Sequence, residues 1–281
     1  MGSTPTIDDA FITAFNSDMH LVYQQKPSKF RGLVRTDGEV VGETLRFQKL
    51  GTLTMATKSR LGEVPLSNPE HTHADATMTP KYCRVGIDKL DLSLLNIDVR
   101  RGYAENMAMA ANREVDDGII AAMDAGGTTH TVTAASGLTR NIALEICKTL
   151  DEQEVPDDGM RFAALTPAAW SFLYTISEFA NADYVGPEFP FKSQGVEVRT
   201  WLGIHWFRST RMTGQGTANA KCYIWHKSAV GHGIANDIEA TWGWNTAGYR
   251  WDGVTALQMG SVVIDDNGII QLDHADNASL P

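Results

Sequence analysis

The stretch DVRRGYAENMAMAANREVDDGIIAAMDAGG, residues 98–127, decides how the rest of the chain is read. Met107, Ala111, Val115, Ile119 and Met123 recur every four residues, which puts them on one stripe of an α-helix. Ala108, Ala110, Ala121 and Ala122 add helix propensity, and Gly126-Gly127 stops the run. The spacing predicts one helix over 98–125, about 40 Å long at ~1.5 Å per residue. Ordinary globular helices run three or four turns, so this one is expected to be a spine rather than a member of a compact bundle.

Upstream, 81–95 reads as an extended run. Residues 51–80 are rich in Thr, Gly, Pro and Asn and hold few large apolar side chains, as expected of a long projecting loop. Residues 31–50 read as a β-hairpin turning at Asp37-Gly38, with Val40, Val41, Leu45 and Phe47 in the returning strand. Residues 7–25 read as an amphipathic helix, with Ile7, Ala10, Phe11, Ala14, Phe15 and Val22 near a 3.6-residue period, ended by Pro27. Downstream, the pattern predicts a helix over 139–152, a strand over 161–165, and a helix from Thr166-Pro167 to about Phe179. Strands follow near 195–200, 203–208 and 221–226, then a short helix near 228–234. The rest is β-rich over 237–245 and 248–265, with a turn at 265–268 before Ile269-Ile270. The class is α+β.

The 281 residues suffice to bury roughly three quarters of the unfolded surface. Apolar residues are 43% and charged residues 21%, ordinary for a globular chain. No segment is long and apolar enough to span a membrane. The polar, acidic start lacks the basic and apolar parts of a signal peptide, so manufacture and use in a cytoplasm are expected. Cys83, Cys147 and Cys222 are odd in number and far apart, which argues against a disulfide framework or a structural zinc site.

The net charge of −10 argues against a grip on nucleic acid through counterion release. The charge is uneven, however. Between Lys26 and Glu63 eight basic residues face four acidic ones, and between Asp237 and Pro281 seven acidic residues face only Arg250. Both are read either as solvated faces or as the two halves of a contact between subunits. The basic candidates are Arg31, Arg35, Arg46, Lys49, Lys58 and Arg60. The acidic acceptors are Asp237, Glu239, Asp265 and Asp266, with Glu114, Asp116 and Asp117 on the long helix.

The usual catalytic motifs are absent: there is no G-x-S-x-G elbow, no phosphate loop and no H-E-x-x-H. Gly231-His232-Gly233 fails the dinucleotide fingerprint for want of a third glycine and a strand–turn–helix frame. His71, His73 and Asp75 share one face of an extended segment and could meet a metal ion. A metal-dependent hydrolase is therefore the alternative from another class. Asp116 and Asp117 are adjacent on a helix and do not face each other, which weakens an acid–base pairing. Trp242, Trp244, Tyr249 and Trp251 could stack bases, or fill a core or an interface.

The order of parts resembles the major capsid proteins of tailed bacteriophages with the Hong Kong 97 fold. Locally, 29–35, 40–42 and 46–51 resemble the extended-loop strands of a capsid family found in short-tailed phages. Residues 114–124 resemble the end of its spine helix, 165–170 and 181–184 its A-domain helix and following loop, and 203–209 and 222–227 its β segments. The resemblance spans roughly residues 10–275. It implies an N-terminal arm (1–28), an E-loop (29–80), a P-domain (81–135) with the spine helix, an A-domain (136–225), and a return into the P-domain β region (226–281). It further implies a virion subunit without catalytic role or cofactor. Such subunits self-assemble as hexamers and pentamers into an icosahedral shell around non-specifically held double-stranded DNA. A portal, a separate scaffolding protein and a cement protein are the implied partners, with assembly in the host cytoplasm. Another virion component, a tail or decoration protein, is the second alternative.

Overall fold

The computed structural model describes residues 24–37, 40, 42–94, 99–127, 130–180 and 198–280. The expected arm helix over 7–25 lies almost wholly outside the described residues, as do the loop at 181–184 and Gly38 of the expected Asp-Gly turn.

The elements are β1 (Arg35–Asp37), β2 (Thr44–Leu50), β3 (His71–Thr77), β4 (Thr79–Asp88), α1 (Lys89–Leu94) and α2 (Val99–Gly126). They continue with β5 (His130–Ala134), α3 (Arg140–Glu152), β6 (Arg161–Leu165), α4 (Pro167–Leu173), α5 (Ser177–Ala180), β7 (Val198–Trp201) and β8 (Ile204–Arg208). The last four are β9 (Ala220–His226), β10 (Val230–Asn245), β11 (Arg250–Val263) and β12 (Ile269–His274). They form a six-stranded sheet ordered β5-β12-β9-β6-β8-β7, a four-stranded sheet ordered β1-β10-β11-β4, and a separate two-stranded ribbon β2-β3.

The spine helix is α2, and Met107, Ala111, Val115, Ile119 and Met123 are all buried. Alternation along the central strands explains how two layers cover one sheet. Ala163, Leu165, Cys222 and Ile224 face a core shared with Leu138, Ile146, Leu150, Trp170 and Phe172, under α3 and α4. Phe162, Ala164, Tyr223 and Trp225 face the other way, into a core with Val115, Ile119, Ile120 and Met123 of α2 and with Phe30 and Val34. A third, smaller core of Val40, Phe47, Ala76 and Met78, with Leu45, Ala235, Val262 and Ile264 around it, seats the ribbon on the four-stranded sheet.

Thr166 caps α4 as expected, its Oγ1 accepting from the Ala169 N–H at 3.2 Å with Pro167 following. The helix does not run unbroken to Phe179, however. It ends at Leu173, where Thr175 Oγ1 donates to the Phe172 carbonyl at 2.7 Å, a side-chain bond that competes with helix propagation.

Two further expectations are corrected. The hairpin over 31–50 does not form: Arg31–Leu33 is a 3-10 turn, and β1 pairs in parallel with Gly231–Gly233 of β10. The true hairpin joins β2 to β3, with Thr44 opposite Thr77 and Leu50 opposite His71. The short helix expected near 228–234 is a 3-10 turn, Lys227–Ala229, followed by strand. Residues from Val230 onward sit between β1 and β11, and that pairing on both sides overrides local propensity.

Candidate inter-subunit surface

The ribbon leaves the body as two seven-residue strands, closed by the Gly51 N–H donating to the Glu70 carbonyl at 2.8 Å. Beyond that point residues 52–69 carry no strand or helix. Their apolar side chains have no partner surface among the described residues: Met55 is 104% exposed, Leu61 98%, Leu66 88%, Val64 74% and Leu53 56%. Single exposed apolar residues are normal. Five on one projecting loop are the mark of an interaction surface. The sequence reading missed them, because five apolar residues scattered through a Thr- and Pro-rich run show no period.

The basic candidates divide. Arg31 holds Asp237 through two bonds of 3.0 and 2.7 Å, and this pulls the Asp237 carboxyl below the usual carboxylate range. Arg46 holds Asp75 at 2.8 Å through each of two nitrogens, Lys49 reaches Asp265 at 2.8 Å, and the Arg35 guanidinium lies 5.5 Å from the centre of the Phe47 ring. Lys58 and Arg60 stand exposed on the loop, with Lys58 Nζ reaching the Gly62 carbonyl at 3.4 Å. Two basic candidates thus meet acidic candidates within one chain, Arg31 with Asp237 and Lys49 with Asp265.

The acidic candidates divide as well. Glu239 and Asp266 are exposed. Glu114 pairs with Lys81 at 3.0 Å, and Asp117 pairs with Arg211. Asp116 is corrected: it is fully buried, so no neighbour's arginine can reach it. Its carboxylate accepts from Ser28 Oγ at 2.5 Å, from Gln25 Nε2, and from the backbone N–H groups of Lys29 and Phe30 at 3.1 and 3.2 Å. It anchors residues 25–30 along the spine helix.

The metal candidate does not assemble. Asp75 is taken by Arg46, which lowers its pKa, and His73 Nε2 lies 3.7 Å from it. Among the described residues no three His, Cys, Asp or Glu side chains converge to hold a metal ion. Trp244 packs edge-on against both Tyr249 and Trp251, with Lys89 over Trp244 and Tyr249 and Arg100 over Trp251. No parallel pair of rings stands ready among these three to sandwich a base.

His232 is fully buried beneath the ribbon's seat. Its Nδ1 meets Ser261 Oγ at 2.8 Å, and its Nε2 has no hydrogen-bond partner among the described residues. Burial, and then the charge of Arg31, push its pKa down to about 4. A histidine with a depressed folded-state value gives stability that is complete above its unfolded value of about 6.5 and is lost as pH falls through the folded one. Urea melts are therefore expected to show stability falling between pH 6.5 and about 4. In His232→Gln that component should vanish; an unchanged acid limb in the variant would contradict this assignment.

A sequence profile of the phage capsid protein family matches residues 7–276. No curated protein matches the sequence significantly. Among solved structures, the chain is similar to the capsid of cyanophage P-SCSP1u, with TM-score 0.78, 18% identity, and coverage of 97% of this chain and 95% of that one. It is also similar to a chain from Mycobacterium phage Che8, with TM-score 0.73, 16% identity and coverage of 96% and 98%. The capsid of cyanophage Pam1 gives TM-score 0.74, 12% identity and coverage of 99% and 100%. The spine helix, the projecting ribbon and the two-sheet body are therefore those of the Hong Kong 97-type capsid fold, and the chain belongs to the phage capsid protein family as a structural subunit of the virion shell.

Proposed function

We propose that this chain closes into an icosahedral shell of hexamers and pentamers around double-stranded DNA, and that each β2–β3 loop lies over a neighbouring copy. The observation that carries this is the apolar loop over 52–69, exposed on its own subunit and attached through a rigid root. A two-stranded ribbon is marginal alone in water, and these side chains gain burial only on another surface. Individual contacts are weak, but every subunit makes several and ring closure multiplies them.

In this reading residues 1–28 are an arm, 29–80 the E-loop, 81–135 the P-domain, 136–225 the A-domain and 226–281 the return. Lys58 and Arg60 steer the loop toward exposed acidic residues of the neighbour such as Glu239 and Asp266. Arg31, Arg35, Arg46 and Lys49, with their partners, hold the loop's root. A portal, a separate scaffolding protein and a cement protein complete the particle, which assembles in the host cytoplasm. The DNA is passive cargo and the subunit catalyses no step.

Reversing both loop charges, Lys58→Glu with Arg60→Glu, should slow assembly about tenfold at low salt. Raising salt should narrow the deficit, because exposed charges are screened. Light scattering across a salt titration reads this directly, and superimposable curves for variant and parent would remove these two residues from the interface.

A further inference from the structure

We infer that Gly231, Gly233 and Gly260 form a socket that sets the pitch of the β2–β3 ribbon, and with it the curvature of the shell. The inference rests on the reading that the ribbon docks on neighbouring copies.

Gly233 and Gly260 lie directly opposite each other on β10 and β11, and Gly231 is two residues from Gly233 on the same face. Three missing side chains leave bare backbone where the ribbon root crosses the sheet. A Cβ at Gly231 would lie 2.6 Å from two atoms of the Phe47 ring. One at Gly233 would lie 2.6 Å from Leu45 Cδ2 and 2.8 Å from Met78 Cε, and one at Gly260 would lie 2.4 Å from the Thr77 carbonyl oxygen. Ordinary carbon contacts need ~3.5–4.0 Å, so alanine at Gly231 or Gly260 must displace the buried Phe47 ring or the Thr77 backbone of the ribbon, whereas at Gly233 the flexible ends of Leu45 and Met78 can give. His232, between the first two glycines, points to the opposite face and meets Ser261, its cross-strand partner. The Gly-His-Gly run thus alternates socket, core, socket.

Phe47 is 1% exposed and fills the socket. Lys49 to Asp265 at 2.8 Å holds the same ribbon two residues further out. The root is therefore a packed joint rather than a free hinge. The three residues of β2 beyond Phe47 span about 10 Å, and the loop reaches further still. A tilt forced at the ring moves the tip, where the neighbour is met, further than it moves the root.

The test is the size of assembled shells, read by cryo-electron microscopy, alongside the melting of the monomer. Gly231→Ala should leave a folded monomer but scatter the shell diameters, with fewer than half of the particles at the parental size. Adding Phe47→Leu, which frees room for the new methyl, should return most particles to that size. Should Gly231→Ala fail to fold, Phe47→Leu alone carries the test, because an underfilled socket should likewise let the ribbon root shift and scatter the shell diameters. Uniform parental shells from the alanine variant, or no rescue by Phe47→Leu, would overturn the socket. Removing loop residues 52–69 separates the two ideas. Normal shells from that deletion would sink the docking reading. Loss of shells there, with parental shells from Gly231→Ala, would sink the socket alone.

Discussion

Replacing residues 52–69 with a two-residue turn is expected to leave a folded monomer that forms no shells. The ribbon is already closed at Gly51 and Glu70, and none of the loop's side chains belongs to the three cores. Surface changes away from packed features stay within about 0.5 kcal/mol, so the melting temperature should shift by no more than ~2 °C. Assembly should suffer far more. Burying a Leu, Val or Met side chain fully is worth about 1.5–3 kcal/mol. Five such side chains, even half-buried and offset by ordering of the loop, amount to several kcal/mol per subunit. Shell yield at fixed concentration should therefore fall by more than about 100-fold. Sedimentation and negative-stain microscopy measure the yield, and a thermal melt checks the fold. A deletion over 31–50 instead would not isolate the loop. It would remove Val34 and Phe47 from two cores, and with Leu33 the carbonyl that receives Trp225 Nε1 at 3.0 Å.

Asp116→Ala is expected to be the most damaging single change on the spine helix. The carboxylate is the shared acceptor for Ser28, Gln25 and the backbone N–H groups of Lys29 and Phe30. Those bonds set the chain so that Phe30 enters the core edge-on to Phe207 at 5.4 Å and stacked on Trp225 at 5.5 Å. Alanine would orphan buried donors and release that wedge, at about 3–5 kcal/mol, or a melting temperature lower by about 10 °C. Asp116→Asn keeps an acceptor oxygen and should lose roughly half as much. Asp117→Ala, one residue on, breaks only the partly exposed pair with Arg211 and should cost less than about 1 kcal/mol. Urea melts of the three variants provide the comparison. Equal losses for Asp116→Ala and Asp117→Ala would show that the anchor is elsewhere.

The sequence was legible where structure is local. The four-residue stripe from Met107 to Met123 placed α2, expected over 98–125 and found as Val99–Gly126. Thr166-Pro167 marked the start of α4, and the apolar run Arg161–Leu165 is the strand expected. The failures are non-local. Asp37-Gly38 is a strong local turn signal, yet β1 finds its partner in β10, almost two hundred residues later. Gly231-His232-Gly233 looked like a failed nucleotide loop because its glycines answer to Phe47, Leu45 and Met78, far away in the chain. Charge counting put Arg31 and Lys49 among the basic candidates and Asp237 and Asp265 among the acidic ones, but composition carries no information on which residues pair, or on whether a pair closes within a subunit or between two. The exposed apolar loop escaped notice because its significance lies in the lack of a partner surface, which only coordinates display.

A cryo-electron microscopy reconstruction of shells assembled from the purified chain tests the account most directly. It should place Met55, Leu61, Val64 and Leu66 of every copy against a neighbouring copy, with Phe47 still seated on Gly231. Shells in which these loops project into solvent, touching no other subunit, would contradict it.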